Sequence, residues 1–520
     1  MKNLGNRFSC ISKFSARHDS SIIFLCCFLV LWFALRGEWA KGDDYIDLGM
    51  YQFGNWNFNT AFHALISRDA GAGRPIHVLF NSAIFPYIKN VSDLQLLRLI
   101  HMVSLSFLIS TVFRRTKNVT DSIFGSFVIS ASILLLPGTW GLLSYSSTAP
   151  FFLVATIGFW AGDAQNISDI NQSRVRRHLR LLLIFIGSLI CVFTYQPLAM
   201  IVLAMPALRF IVTYFDTTRD NLRLQLSAKN LMTVACITIS NLLINFVFVR
   251  VLYDSTRAEG AFDAQGKISY LATTAISRAV ASPVALFDST SSASILLSGV
   301  VIGMIASAIL LRPGINFWKL TLPLKQKLHM QFSIWLSASL LLPITLLPIA
   351  LLPENADDFR RYWATNTTSA LIVLVITFLI FHEKFSGVIS TKVIQASSCL
   401  FIVISVLSMS AYFHRTTVQV ASREWEAAKC ATRQTVRIIE NNIELNSGEL
   451  MNVDYEIGKG DEFGTSSLLR PISGSMLVWL SSHSLELFPD LNPWNISVAS
   501  VENTSSPWSR KFLDCYATEK

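Results

Sequence analysis

Apolar runs long enough to cross a bilayer recur along this chain, and nothing else constrains its fold as strongly. The run "LLRLIHMVSLSFLISTVF", residues 96–113, carries a single charge, Arg98. A hydrocarbon core of about 30 Å takes about 20 helical residues to cross. Inside lipid the backbone polar groups must be satisfied within the segment, so isolated runs of this kind must be helices. Charged residues make up 15% of the chain and hydrophobic ones 52%, whereas soluble domains carry about 25% charge. These features predict a polytopic membrane protein.

The basic N-terminus "MKNLGNRFSCISKFSARH" precedes the apolar run 22–35. With no small-x-small cleavage site after it, the run reads as an uncleaved first helix entering from the cytoplasm, with Arg36 snorkelling at its far end. Further candidate spans lie near 94–113, 120–136, 148–163, 181–197, 199–215, 230–253, 292–311, 331–351, 369–382 and 393–412. That predicts a mainly α bundle of about eleven transmembrane helices, with the N-terminus inside and the C-terminus outside.

Charge tests the phase of this arrangement. The segments it makes cytoplasmic include "RRTK" (114–117), "RVRRHLR" (174–180) and the connector 312–327. They hold far more Lys and Arg than the short outer loops, as the positive-inside bias requires. Shifting the phase by one helix would invert the ratio. The same bias explains the net charge of +9 without nucleic acid, because the basic residues are scattered over connectors and form no single face.

Three regions then face outward: the first loop, 36–93; the loops 254–291 and 353–368; and the tail. The reading divides the chain into a membrane domain, 1–412, and an extracytoplasmic domain, 413–520. In the tail, "TTVQVASREWEAAKCATRQTVRIIENNIEL" has amphipathic helical spacing, and the β-prone pieces "MNVDYEIG", "MLVWLSS" and "NISVASV" follow, predicting a small α/β domain. Cys26, Cys27, Cys191, Cys236 and Cys399 sit in apolar runs as small hydrophobes. Cys430 and Cys515 lie in the polar tail, where an oxidising compartment would permit a disulfide; spacing does not tell whether they meet.

The first outer loop opens with "GDDY", so Asp43 and Asp44 stand side by side just beyond a membrane helix. In "NWNFNTAFHALISRD", Phe58, Phe62, Leu65 and Ile66 repeat at helical spacing, the pattern of a helix in the interfacial plane. "GAGRPIHVLFNSAIFPY" follows as a glycine-hinged return to the membrane, with Arg74 at its mouth. Taken alone, the acidic pair also fits a solvated loop or a helix N-cap.

An acidic pair after the first span, in a large first outer loop, resembles the GT-C glycosyltransferases, polytopic enzymes that use polyprenyl-phosphate sugars. Within them, the chain is similar to the serotype-converting O-antigen glucosyltransferases of bacteria and phages. "GDDY" (42–45), "GRP" (73–75) and "TYQP" (194–197) carry the likeness, together with the span pattern and the outer tail. The resemblance implies a protein of the bacterial inner membrane that moves one sugar, glucose in that family. The donor would be a polyprenyl phosphate, the acceptor lipid-linked O-antigen or another surface glycan, and the route direct inverting displacement on the periplasmic side. It also implies no obligate metal or other cofactor.

The chemistry accounts for the residue types. A phosphate leaves without a proton, so the remaining need is a base for the acceptor hydroxyl, a part for Asp43 or Asp44. The departing phosphate needs cations, and the arginine fork matches its oxygens. Candidates are Arg74, equally an interfacial anchor, and Arg360, Arg361 and Tyr362 in "PENADDFRRYW", where neighbouring acids could simply neutralise the arginines. Tyr195 and Gln196 could stack on or hydrogen-bond a sugar, or merely pack a helix end. Two other readings fit a polytopic chain. An O-antigen polymerase or ligase would place its distinctive loop later. A glycan transporter would show mid-span ionisable residues or inverted repeats.

Overall fold

A computed structural model describes residues 2–40, 44, 57–66, 73–88, 91–120, 122–164, 174–215, 221–252, 266, 269–270, 363–368, 370–372, 374–375, 391–441 and 515. Among the described residues the structure is helical, with no strand. The helices are α1 (Lys2–Leu35), α2 (Phe58–Leu65), α3 (Pro75–Ile84), α4 (Leu94–Thr120), α5 (Ile123–Ala131) and α6 (Pro137–Leu143). They continue with α7 (Phe151–Asp163), α8 (Arg174–Thr194), α9 (Ala204–Phe215), α10 (Asn221–Leu252), α11 (Thr391–Phe413) and α12 (Gln419–Asn441). Five stretches among the described residues are long and apolar enough to cross a membrane: Val91–Thr120, Val175–Thr194, Gln196–Tyr214, Arg223–Val249 and Ala396–Ala427. Asp19–Leu35 and Ile123–Leu135 are shorter apolar helices. The expected spans 292–311 and 331–351 lie outside the described residues, as do the tail's β-prone pieces and most of 369–382.

The helix α4 is central, packed against α1, α5 and α7, while α7 leads on to α8, α9 and α10. The exposed residues are apolar where a lipid-facing surface would be. Leu400, Phe401, Ile404 and Leu407 form one stripe on α11, and Leu243, Ile244, Phe246 and Val247 another on α10. Small residues let α7 approach its neighbours. A Cβ on Gly158 would lie 2.5 Å from Cys191 Sγ, and one on Gly162 would overlap the Val202 carbonyl. This G-x-x-x-G spacing is a common device for close helix contact in membranes.

The run expected as one α-helix at 199–215 begins instead as a 3₁₀ helix, Gln196–Leu203, before α9. Pro197 near its start and the contact with the glycine face of α7 account for the tighter winding. At the other end of the chain, α11 runs through a π turn, His414–Val418, into α12 without a break. The helix therefore passes straight through position 413. Phe413, Val418 and Ala421 are buried in the main core.

Among the described residues, the ionic contacts between helices gather at one end of the bundle. Asp163, at the end of α7, receives Arg115 at 2.8 Å and pairs with Arg209, while Lys117 meets Asp19 at 2.7 Å. The basic start of α8, "RVRRHLR", belongs to this same end. The opposite end holds residues 36–40 and 44 and the connections 73–75, 144–150 and 195–196.

Candidate active site

Where α1 ends, its last carbonyls have no partners within the helix. The Trp39 indole donates to Leu35 O at 3.3 Å, and His414 Nδ1 donates to Ala34 O at 3.0 Å. Arg98, buried in α4, lies with its guanidinium 3.8 Å over the Trp39 ring and donates to the carbonyls of Gly37 and Trp39. The ionisable residue inside the first α4 turns is thus committed to fixing the entry of the first loop.

That entry delivers Asp44 to a fully buried position. Its Oδ1 accepts from the Ser146 backbone N–H at 2.7 Å, and its Oδ2 accepts from Ser146 Oγ at 3.3 Å. Ser146 opens a short 3₁₀ turn, Ser146–Thr148, between α6 and α7. Three elements grip three successive residues of this turn. Asp44 holds Ser146, His77 Nε2 donates to Ser147 O at 2.8 Å, and His101 Nε2 pairs with Thr148 Oγ1 at 3.1 Å.

The expected interfacial helix is α2, opened by a reciprocal capping box between Asn57 and Thr60. The glycine hinge is real in the backbone: Gly73 has φ +78. A Cβ there would also lie 2.5 Å from Gln196 Nε2 and 2.6 Å from Asn245 Oδ1. Both amides approach because both bond the Gly73 carbonyl, Asn245 Nδ2 at 2.8 Å and Gln196 Nε2 at 3.4 Å. Arg74 then occupies the N-cap position of α3, with Pro75 in its first turn. The ten-residue α3 is too short to span a bilayer.

Arg74 lies 4.8 Å over the Tyr195 ring. Tyr195 stacks on Phe151 at 5.0 Å, and Phe151 meets the His77 ring edge-on at 5.4 Å. The "GRP" and "TYQP" motifs are therefore one structural unit, joined through Phe151 and His77 to the turn that holds Asp44. A guanidinium stacked on an aromatic ring keeps its charge while its plane is held, an arrangement suited to an anionic oxygen group.

Asp43, Arg360, Arg361 and Tyr362 lie outside the described residues. The next residue in sequence, Trp363, is buried; its Nε1 donates to Thr139 Oγ1 at 2.8 Å and its ring meets Phe152 edge-on. In the tail, Cys430 and Cys515 are joined as a disulfide, with Cα atoms 6.1 Å apart. Among the described residues, no three His, Cys, Asp or Glu side chains gather as a metal ion would need.

Several participants were not singled out from the sequence: His101, the Ser146–Thr148 turn and Asn245. Asn245 had a signal, being an amide within the apolar run "NLLINFVFV". His77, from the same stretch as Arg74, is the side chain that ties α3 to the Asp44 turn. Comparison with known protein families, with curated proteins and with solved structures finds no match to this chain.

Proposed function

We propose that this protein is a GT-C-like glycosyltransferase of the bacterial inner membrane, with its N-terminus cytoplasmic and its C-terminus periplasmic. It transfers a single sugar, glucose by family resemblance, from a polyprenyl phosphate to O-antigen or a related surface glycan, with inversion. The observation that carries the reading is the convergence of Asp44, Gly73-Arg74-Pro75 and Tyr195-Gln196 at one end of the bundle. The basic start of α8 lies at the other end, which by the positive-inside bias supports a cytoplasmic face there and a periplasmic site.

In this reading Arg74 on its tyrosine platform receives the phosphate, with Arg360, Arg361 and Tyr362 as further partners. The base that takes the acceptor proton comes from the acidic pair. Both Asp44 oxygens already hold Ser146, a role in shaping the site, so the proton falls to Asp43. The test is transfer of labelled glucose from polyprenyl-phosphate-glucose to lipid-linked O-antigen in vesicles carrying the purified protein. Transfer by the wild type and its loss in Asp43→Asn support the reading. Full activity in both Asp43→Asn and Asp44→Asn would end it.

A further inference from the structure

The buried flank of α3 carries more hydrogen-bonding capacity than its neighbours use. In its sequence PIHVLFNSAI, the residues His77, Asn81 and Ser82 fall within one helical sector of an otherwise apolar helix. Asn81 is 2% exposed and Ser82 0%. The Ser147 carbonyl only accepts, so His77 Nε2 carries the proton directed at it. The Asn81 amide lies 3.3 Å from the same nitrogen, and toward an N–H it can offer only its oxygen. Whichever way round the amide sits, one end of it has no partner among the described residues, and neither has the Ser82 hydroxyl. Burying an amide and a hydroxyl without partners is unfavourable, and here two such groups are adjacent in sequence on one helix.

The chemistry of the missing partner follows from what surrounds it. Asn81 and Ser82 offer neutral donor and acceptor groups, suited to hydroxyls rather than to a charge. Phe151, itself buried and stacked on Tyr195, packs edge-on against His77 of the same flank. An amide and a hydroxyl on adjacent residues suit a pyranose, whose neighbouring hydroxyls both donate and accept. Arg74 begins the same helix, and at the helical rise residue 81 lies roughly 10 Å further along it. A phosphate at Arg74 and a sugar at Asn81 and Ser82 are thus within the span of one lipid-linked sugar phosphate.

We propose that Asn81 and Ser82 form the subsite for the transferred hexose and set the preference among donor sugars. This rests on the reading of the protein as a polyprenyl-phosphate-sugar transferase. Binding to the purified full-length protein in detergent tests it without an acceptor. The probes are radiolabelled polyprenyl phosphates bearing glucose, galactose or N-acetylglucosamine, and polyprenyl phosphate without a sugar.

For the sugar that the wild type binds most tightly, Asn81→Leu and Ser82→Ala should each weaken binding about tenfold, the loss of one hydrogen bond to a neutral hydroxyl. They should also narrow the preference among the three sugars and leave bare polyprenyl phosphate bound as before. Ser82→Ala removes one oxygen atom and keeps the test intact if the larger change at 81 impairs folding. Unchanged sugar affinity and preference in Ser82→Ala would overturn the subsite while leaving the transferase reading standing. Equal weakening of sugar-bearing and bare lipid would also overturn it, as general damage. A wild type that binds none of the four lipids would bring down both readings.

Discussion

The Arg74 guanidinium lies 4.8 Å over the ring of Tyr195, so two short motifs far apart in sequence meet in one contact. The contact depends on a flat, delocalised cation and on an aromatic face, and not on the tyrosine hydroxyl. Tyr195→Phe should therefore keep sugar transfer near the wild-type rate. Tyr195→Leu should lower it about tenfold, the order expected for a partly buried cation–π contact. Arg74→Lys keeps the charge but loses the planar fork, and should lower transfer further, mainly through a raised KM for the lipid donor. Steady-state transfer in vesicles measures all three. If Tyr195→Leu matched the wild type, the platform would have no part in catalysis.

The acidic pair should separate into two phenotypes. Asp44 is fully buried and both its oxygens hold Ser146, so Asp44→Asn sets an NH2 group against one of the two Ser146 donors. Truncating one partner of a buried charge-assisted pair costs about 1.5–3 kcal/mol. Asp44→Asn should lower the melting temperature of the purified protein as well as its activity. Asp43→Asn should abolish transfer with melting unchanged. The two are read by thermal unfolding in detergent beside the transfer assay, and the reverse pattern would assign the base to Asp44.

Gly73 combines a backbone with φ +78 and two amide side chains closer than a Cβ allows. Gly73→Ala must strain the turn or push away Gln196 and Asn245, which both bond its carbonyl. A cost of about 1–3 kcal/mol is expected from the strained conformation alone. Because the hinge also sets the start of α3, Arg74 would leave Tyr195. The substitution should therefore lower both thermal stability and donor affinity, whereas Asn245→Ala, with the turn unstrained, should show the smaller loss in each.

The parts of the fold set by local pattern were legible. The apolar runs at 94–113 and 393–412 lie within helices, 181–197 is helical as far as Thr194, and α2 forms where Phe58, Phe62, Leu65 and Ile66 repeat. The amphipathic spacing after residue 416 corresponds to α12, although the helix arrives there directly from α11 through the π turn. The shift in composition from apolar to polar marked neither a break in the helix nor the edge of the core, since Val418 and Ala421 beyond it are buried there. The 3₁₀ winding of Gln196–Leu203 was missed because it answers to a tertiary contact, the glycine face of α7. The same holds for the candidate site. Asp44, Arg74, Tyr195 and Gln196 could each be picked out, but their assembly runs through the Ser146–Thr148 turn and His77. Those residues carry no motif and matter only because the bundle brings them together.

The sidedness of the site is the most exposed element of the functional reading, because a periplasmic reaction needs Asp44 and Arg74 outside. Two positions at opposite ends of the bundle are open to a reagent: Tyr87, after α3, is 75% exposed, and Val175, at the start of α8, is 76% exposed. The free cysteines Cys26 and Cys236 are also exposed, but they lie within apolar helices, where a charged maleimide does not reach while lipid surrounds them. In spheroplasts, Tyr87→Cys should react at once with a membrane-impermeant maleimide. Val175→Cys should react only after the membrane is opened. Basic residues crowd the α8 end as the positive-inside bias requires of a cytoplasmic face, so the opposite labelling pattern would invert the bundle. It would put Arg74 and the acidic pair in the cytoplasm, away from periplasmic acceptors, and the glycosyltransfer reading would fall with it.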